Sequence, residues 1–180
     1  MRVLMLLSLV LACAAFVGTR AAGAQPLEPG DPAPEFRLPG SDGRTYSLAD
    51  FKGKRTVVVA WFPRAFTSGC TAECKSMKET GPSIRQFDVA YFAASVDDAE
   101  KNRQFAESLE LDFPILSDPG RAVARAYGVV TDDTRGASRW TFYIGRDGRI
   151  LYIDKQVKTG THGQDIAARL KTLGVPPSHE

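Results

Sequence analysis

The chain has 180 residues, 43% of them hydrophobic, and a formal net charge of +2, which suits one domain with an apolar core plus a short leader. The balanced charge comes without a basic stripe or a clustered Lys/Arg run, so nothing marks a nucleic-acid surface. Three cysteines are too few for a disulfide scaffold.

The first 24 residues read as a signal peptide. Arg2 gives the charged start, Val3 to Val17 is an apolar run broken only by Ser8 and Cys13, and Ala22-Gly23-Ala24 gives a small-residue cleavage site before Gln25. The run ends at Gly18-Thr19-Arg20, short of the roughly 20 apolar residues a spanning helix needs. The expectation is therefore an exported protein, periplasmic or extracellular, with no stable membrane span after cleavage. A lipid anchor at Cys13 is the lesser alternative, because Val10-Leu11-Ala12-Cys13 only loosely resembles a lipobox. Either way the mature domain, 28–176, keeps Cys70 and Cys74, outside the compartment whose glutathione keeps thiols reduced.

Gln25 to Pro34 is an extended lead-in rich in Pro and Gly. Phe36-Arg37-Leu38 and Thr45-Tyr46-Ser47 are short strands around the turn Gly40-Ser41-Asp42-Gly43. Thr56 to Phe62 is a continuous β-branched and apolar run, the pattern of a central strand buried on both faces. A helix is expected over Thr71 to about Arg85, a strand over Val89 to Val96, and a helix capped by Asp97-Asp98. A short strand at Phe113 to Leu116 and a short helix at Arg121 to Tyr127 follow. Strands Trp140 to Ile144 and Ile150 to Ile153 flank the hairpin turn Arg146-Asp147-Gly148, and Asp165 to Leu173 is the last helix. Alternating strands and helices imply an α/β fold with a mixed central sheet covered by helices.

Pro63-Arg64-Ala65-Phe66-Thr67-Ser68-Gly69-Cys70 follows the buried strand and opens a helix. The carboxyl end of a central strand is where α/β sheets bind ligands. A cysteine in the first turn of a helix faces free backbone N–H groups and the positive end of the dipole, both of which favour a thiolate. Taken alone, such a cysteine can equally be a buried, inert hydrophobe, although polar Thr67, Ser68 and Gly69 speak against a dry site.

The pattern Pro63-x-x-x-Thr67-x-x-Cys70 resembles the active-site signature of peroxiredoxins, the alkyl hydroperoxide reductase/thiol-specific antioxidant superfamily. With a glycine before the cysteine it is most similar to the bacterioferritin-comigratory or Q-type group. The likeness runs from about Gly30 to Val175: Asp31-Pro32-Ala33-Pro34-Glu35-Phe36, Leu116-Ser117-Asp118-Pro119, Ala126-Tyr127-Gly128-Val129 and Arg139-Trp140-Thr141-Phe142 resemble family landmarks. The resemblance implies a thioredoxin-like fold with an N-terminal β-hairpin extension and a thiol-dependent peroxidase. Such an enzyme reduces hydrogen peroxide and organic hydroperoxides through a sulfenic acid on Cys70, needs no cofactor or metal, and is recycled by thioredoxin or a similar dithiol protein. It would be a monomer or weak dimer. Thr67 then bonds the peroxide or the thiolate, Pro63 shields the sulfur, Arg139 holds the thiolate and the leaving oxygen, and Glu73 orients an arginine. On local sequence alone these four are also an N-cap, a strand terminator, a surface arginine and a dipole stabiliser. Cys74 is either a resolving thiol or a core residue. It stands four residues after Cys70, where Q-type relatives with a resolving cysteine on this helix place it at five.

Two rivals share the fold. A thioredoxin-like envelope oxidoreductase needs Cys-x-x-Cys, and here Glu73 holds the position of the second thiol. A Sco-type copper chaperone uses Cys-x-x-x-Cys with a distant histidine, two thiolates and an imidazole suiting copper. His162 and His179 are the histidines available. The place where that family carries its histidine, just before the strand at Trp140, is occupied by Ser138-Arg139. His162 reads more simply as a loop residue ahead of the last helix.

Overall fold

A computed structural model of the protein describes residues 26–178. The leader, with Cys13, and His179 in the tail lie outside the described residues. Two strands, β1 (Arg37–Pro39) and β2 (Thr45–Ser47), form a small antiparallel hairpin sheet. The main sheet has five strands: β3 (Thr56–Trp61), β4 (Val89–Ser95), β5 (Ile115–Ser117), β6 (Thr141–Ile144) and β7 (Ile150–Asp154). Their order is β5-β4-β3-β6-β7, with β3 parallel to β4 and antiparallel to β6. The helices are α1 (Ser68–Glu79), α2 (Gly81–Ile84), α3 (Ala99–Ser108), α4 (Ala122–Ala126) and α5 (His162–Thr172).

β3 lies at the centre of the sheet and every one of its residues is buried, as its unbroken apolar run predicts. Its side chains alternate between two cores. Val58 and Ala60, with Phe62 just past the strand, join one with Cys70, Cys74, Met77, Phe105 and Ile166, under α1, α3 and α5. Val57, Val59 and Trp61 join the other with Phe36, Leu38, Tyr127 and Phe142, beneath the hairpin sheet.

Several boundaries differ from those the sequence suggests. The helix expected over 71–85 opens earlier, at Ser68, and is interrupted at Thr80. Pro82 has no N–H to offer the Lys78 carbonyl, so the ladder cannot continue and α2 starts afresh. The last helix begins at His162 rather than Asp165. The two adjacent aspartates divide their work: Asp98 caps α3, accepting from the Lys101 N–H at 2.8 Å, whereas Asp97 accepts from the Ala65 N–H at 2.8 Å. Asp97 thereby ties the loop after β3 to the end of β4.

Candidate active site

The 63–67 loop leaves the carboxyl end of β3 and turns into α1. Phe66 adopts φ 65°, a left-handed conformation that strains a side-chain-bearing residue, and this bend brings Thr67 into the N-cap position. The hydroxyl of Thr67 does not cap the helix. It donates to the Arg64 carbonyl at 3.0 Å, which leaves its lone pairs to accept a proton from outside. Pro63 is half-buried, and its carbonyl packs so closely on Gly136 that a Cβ there would sit 2.3 Å away.

Cys70 is the third residue of α1 and is fully buried. Arg139, 69 residues later and just before β6, donates from Nη2 to the Cys70 sulfur at 3.4 Å. Its Nη1 pairs with Oε2 of Glu73, itself buried one turn along α1. One guanidinium is thus shared between a carboxylate and the sulfur. Gly69 makes room for it: a Cβ at that position would approach Nη2 to 3.3 Å. Cys70, Arg139 and Glu73 come together as the sequence suggests, and Thr67 opens the same helical turn.

Cys74 is fully buried in the core beneath α1, and burial, reinforced by Cys70, pushes its thiol up to about 12. Both cysteines are free thiols in this conformation.

The expectation that His162 is a loop residue is corrected. It is completely buried at the start of α5, behind Glu73. Its Nε2 lies 2.8 Å from the Thr141 hydroxyl and its Nδ1 2.9 Å from Oε1 of Glu73. The second contact is close but off the direction of a good hydrogen bond, and neither atom has another partner. Two unpaired buried polar groups would cost about 1–3 kcal/mol each, so a small turn of the ring that aligns them is favoured. Burial, helped by the Arg139 charge and opposed by Asp154 and Asp165, pushes the imidazole down to about 4. The ring is therefore neutral near pH 7. Local sequence could not reveal this histidine, because its ring partners, Glu73 and Thr141, sit on other elements far from it along the chain. Its spacing before the apolar face of α5 was the one available hint.

The sequence model of the AhpC/TSA family matches residues 29–153. Peroxiredoxin Bcp of Escherichia coli is 34% identical over 152 residues, spanning 81% of this chain and 97% of its own length. The crystal structure of peroxidoxin BcpB from Mycobacterium tuberculosis superposes with a TM-score of 0.74 at 27% identity, covering 81% of this chain and 97% of that one. The PrxQ structure from Xylella fastidiosa, at 23% identity and a TM-score of 0.76, covers 83% of this chain and 99% of its own and shares the fold.

Proposed function

The chain belongs to the AhpC/TSA family and is a thiol-dependent peroxidase of thioredoxin-like fold, and we propose that Cys70 is its attacking sulfur. The observation that carries the assignment is the Arg139 guanidinium, bonded at once to Cys70 and to Glu73. In the reaction the Cys70 thiolate attacks one peroxide oxygen and the O–O bond breaks. The sulfur is oxidised to a sulfenic acid and the other oxygen leaves as hydroxide or alkoxide, then takes a proton. Negative charge grows on that departing oxygen, and Arg139 and the backbone N–H groups of the first turn of α1 are donors already in place. Thr67, its own proton committed to Arg64, accepts the peroxide proton. Pro63 and the loop it begins limit access to the sulfur.

Cys74 resolves the sulfenic acid. Its thiolate attacks the Cys70 sulfur, a disulfide forms and the sulfenic oxygen leaves as water. An external dithiol protein, thioredoxin or one like it, then reduces the bond. Side chains four apart on an intact helix hold their Cβ atoms about 5–6 Å apart, against about 3.5–4.5 Å in a disulfide. The start of α1 must therefore unwind first, which also exposes the buried Cys74. The working form is the exported domain 28–176, a monomer or weak dimer. Sequencing the amino terminus of the protein from a periplasmic fraction and sedimentation of the reduced form test those two statements.

The copper-chaperone alternative finds no support. The relatives are peroxiredoxins, and both ring nitrogens of His162 face Glu73 and Thr141. Stopped-flow mixing of reduced protein with hydrogen peroxide tests the main assignment. Cys70→Ser should lose all peroxide consumption, and retained turnover would end it.

A further inference from the structure

We propose that His162 is a positioning residue for the peroxide step: by engaging Oε1 of Glu73 it keeps the Glu73–Arg139 pair single-pronged and leaves Nη2 of Arg139 on the Cys70 sulfur. This rests on the reading of Cys70 as the attacking sulfur.

A guanidinium and a carboxylate left to themselves form a two-pronged pair, two parallel N–H groups on two oxygens. Here only one prong is used. Nη1 takes Oε2 of Glu73, while Nη2 reaches Sγ of Cys70 at 3.4 Å. Oε1 faces Nδ1 of His162 at 2.9 Å instead. Removing that ring takes away the one N–H that faces Oε1, a buried oxygen with no aligned partner of its own, and leaves the guanidinium already paired to Oε2 as the neighbouring donor group. The carboxylate would then take both prongs and draw Arg139 off the sulfur.

The ring is held from both sides. Nε2 meets the Thr141 hydroxyl at 2.8 Å, and Thr141 lies two residues beyond Arg139. The next residue, Gly163, donates its N–H to the Ser76 hydroxyl at 3.1 Å. A Cβ on Gly163 would stand 2.3 Å from the Ser76 carbonyl oxygen. The start of α5 is therefore seated on α1 one turn past Glu73. His162 bridges the two segments that supply Arg139 and Glu73. A neutral ring satisfies both neighbours in one tautomer, with Nδ1–H toward the carboxylate and Nε2 accepting from Thr141.

Two substitutions separate positioning from packing. In His162→Asn the amide nitrogen can occupy the place of Nδ1 and still donate to Glu73. In His162→Gln the amide reaches toward Thr141 and offers Glu73 nothing. Both lose ring packing and both should lower the urea midpoint. The second-order rate with hydrogen peroxide should split them: His162→Gln slower by about tenfold to a hundredfold, with His162→Asn recovering most of that loss. In a Glu73→Gln background His162→Gln should add less than about twofold, because residues that act through one another are not additive. Thr141→Val, which frees the ring to change tautomer, should be slower by about threefold or more. Equal slowing in the Asn and Gln variants, a full rate in His162→Gln or Thr141→Val, or additive losses with Glu73→Gln would overturn the proposal. Cys70→Ser runs beside them. If it is inert while His162→Gln reacts at the wild-type rate, the positioning role alone fails; if it still reacts, the assignment of Cys70 fails.

Discussion

Arg139→Met removes a donor from the sulfur and, in the same stroke, leaves the Glu73 carboxylate buried without its cation. Glu73 is 1% exposed and the Arg139 side chain 22%. Breaking a buried pair from one side costs about 3–5 kcal/mol, and the partial exposure of Arg139 puts the expected loss near the lower end, about 3 kcal/mol. That is a large part of the roughly 5–15 kcal/mol that holds a domain together. Separately, removing one preorganised donor from a developing oxyanion slows reaction by about 10²–10³-fold. The double variant Arg139→Met/Glu73→Gln makes the two effects distinguishable. With the carboxylate neutralised, most of the stability should return, whereas the rate should stay low because the guanidinium is still missing. Urea unfolding followed by tryptophan fluorescence gives the first quantity, and stopped-flow reaction of reduced protein with hydrogen peroxide gives the second. A single variant that reacts within about threefold of wild type would show that the Arg139–Cys70 contact plays no part in the chemistry. A double variant no more stable than the single one would show that the buried carboxylate is not the source of the loss.

One equivalent of peroxide should join Cys70 to Cys74, read by peptide mapping without reductant; accumulation of sulfenic or sulfinic acid on Cys70 beside a free Cys74 would make Cys74 a packing residue. The same oxidation should change the near-ultraviolet circular dichroism, since the start of α1 has to open. Burial lowers His162 from 6.5 to about 4, so the unfolded chain takes up a proton that the folded one refuses as pH falls from about 6.5 toward 4. Stability from this group is intact above that window and falls through it by up to about 3 kcal/mol. His162→Asn should flatten this part of the urea profile, and an unchanged pH slope would show that another group is responsible. Gly163→Ala should cost about 1–3 kcal/mol by forcing α5 off α1, because its Cβ would meet the Ser76 carbonyl at 2.3 Å; a urea midpoint equal to that of wild type would mean the helices do not touch there.

Much of the molecule is written locally. The β-branched run 56–62 suits a doubly buried strand, and β3 is one. The turn at Arg146-Asp147-Gly148 closes β6 on β7, with Gly148 at φ 78°. The Pro63, Thr67 and Cys70 spacing marks the strand-to-helix junction at which a nucleophile can sit among free N–H groups, and Arg139 was legible through family likeness. These features are short-range: a few consecutive side chains decide period, turn and cap. The rest depends on which distant segments meet. Asp97 and Asp98 are the same residue type side by side, yet one caps α3 and the other anchors the active-site loop, because only one of them faces the Ala65 N–H. Cys74 and His162 are polar or reactive letters in sequence, and both are completely buried. Their roles follow from packing α5 on α1 across 87 residues of chain. That packing buries Glu73 and His162 side by side with Arg139 at their edge, so the polar atoms of the two buried residues have mainly one another, Arg139 and Thr141 to bond.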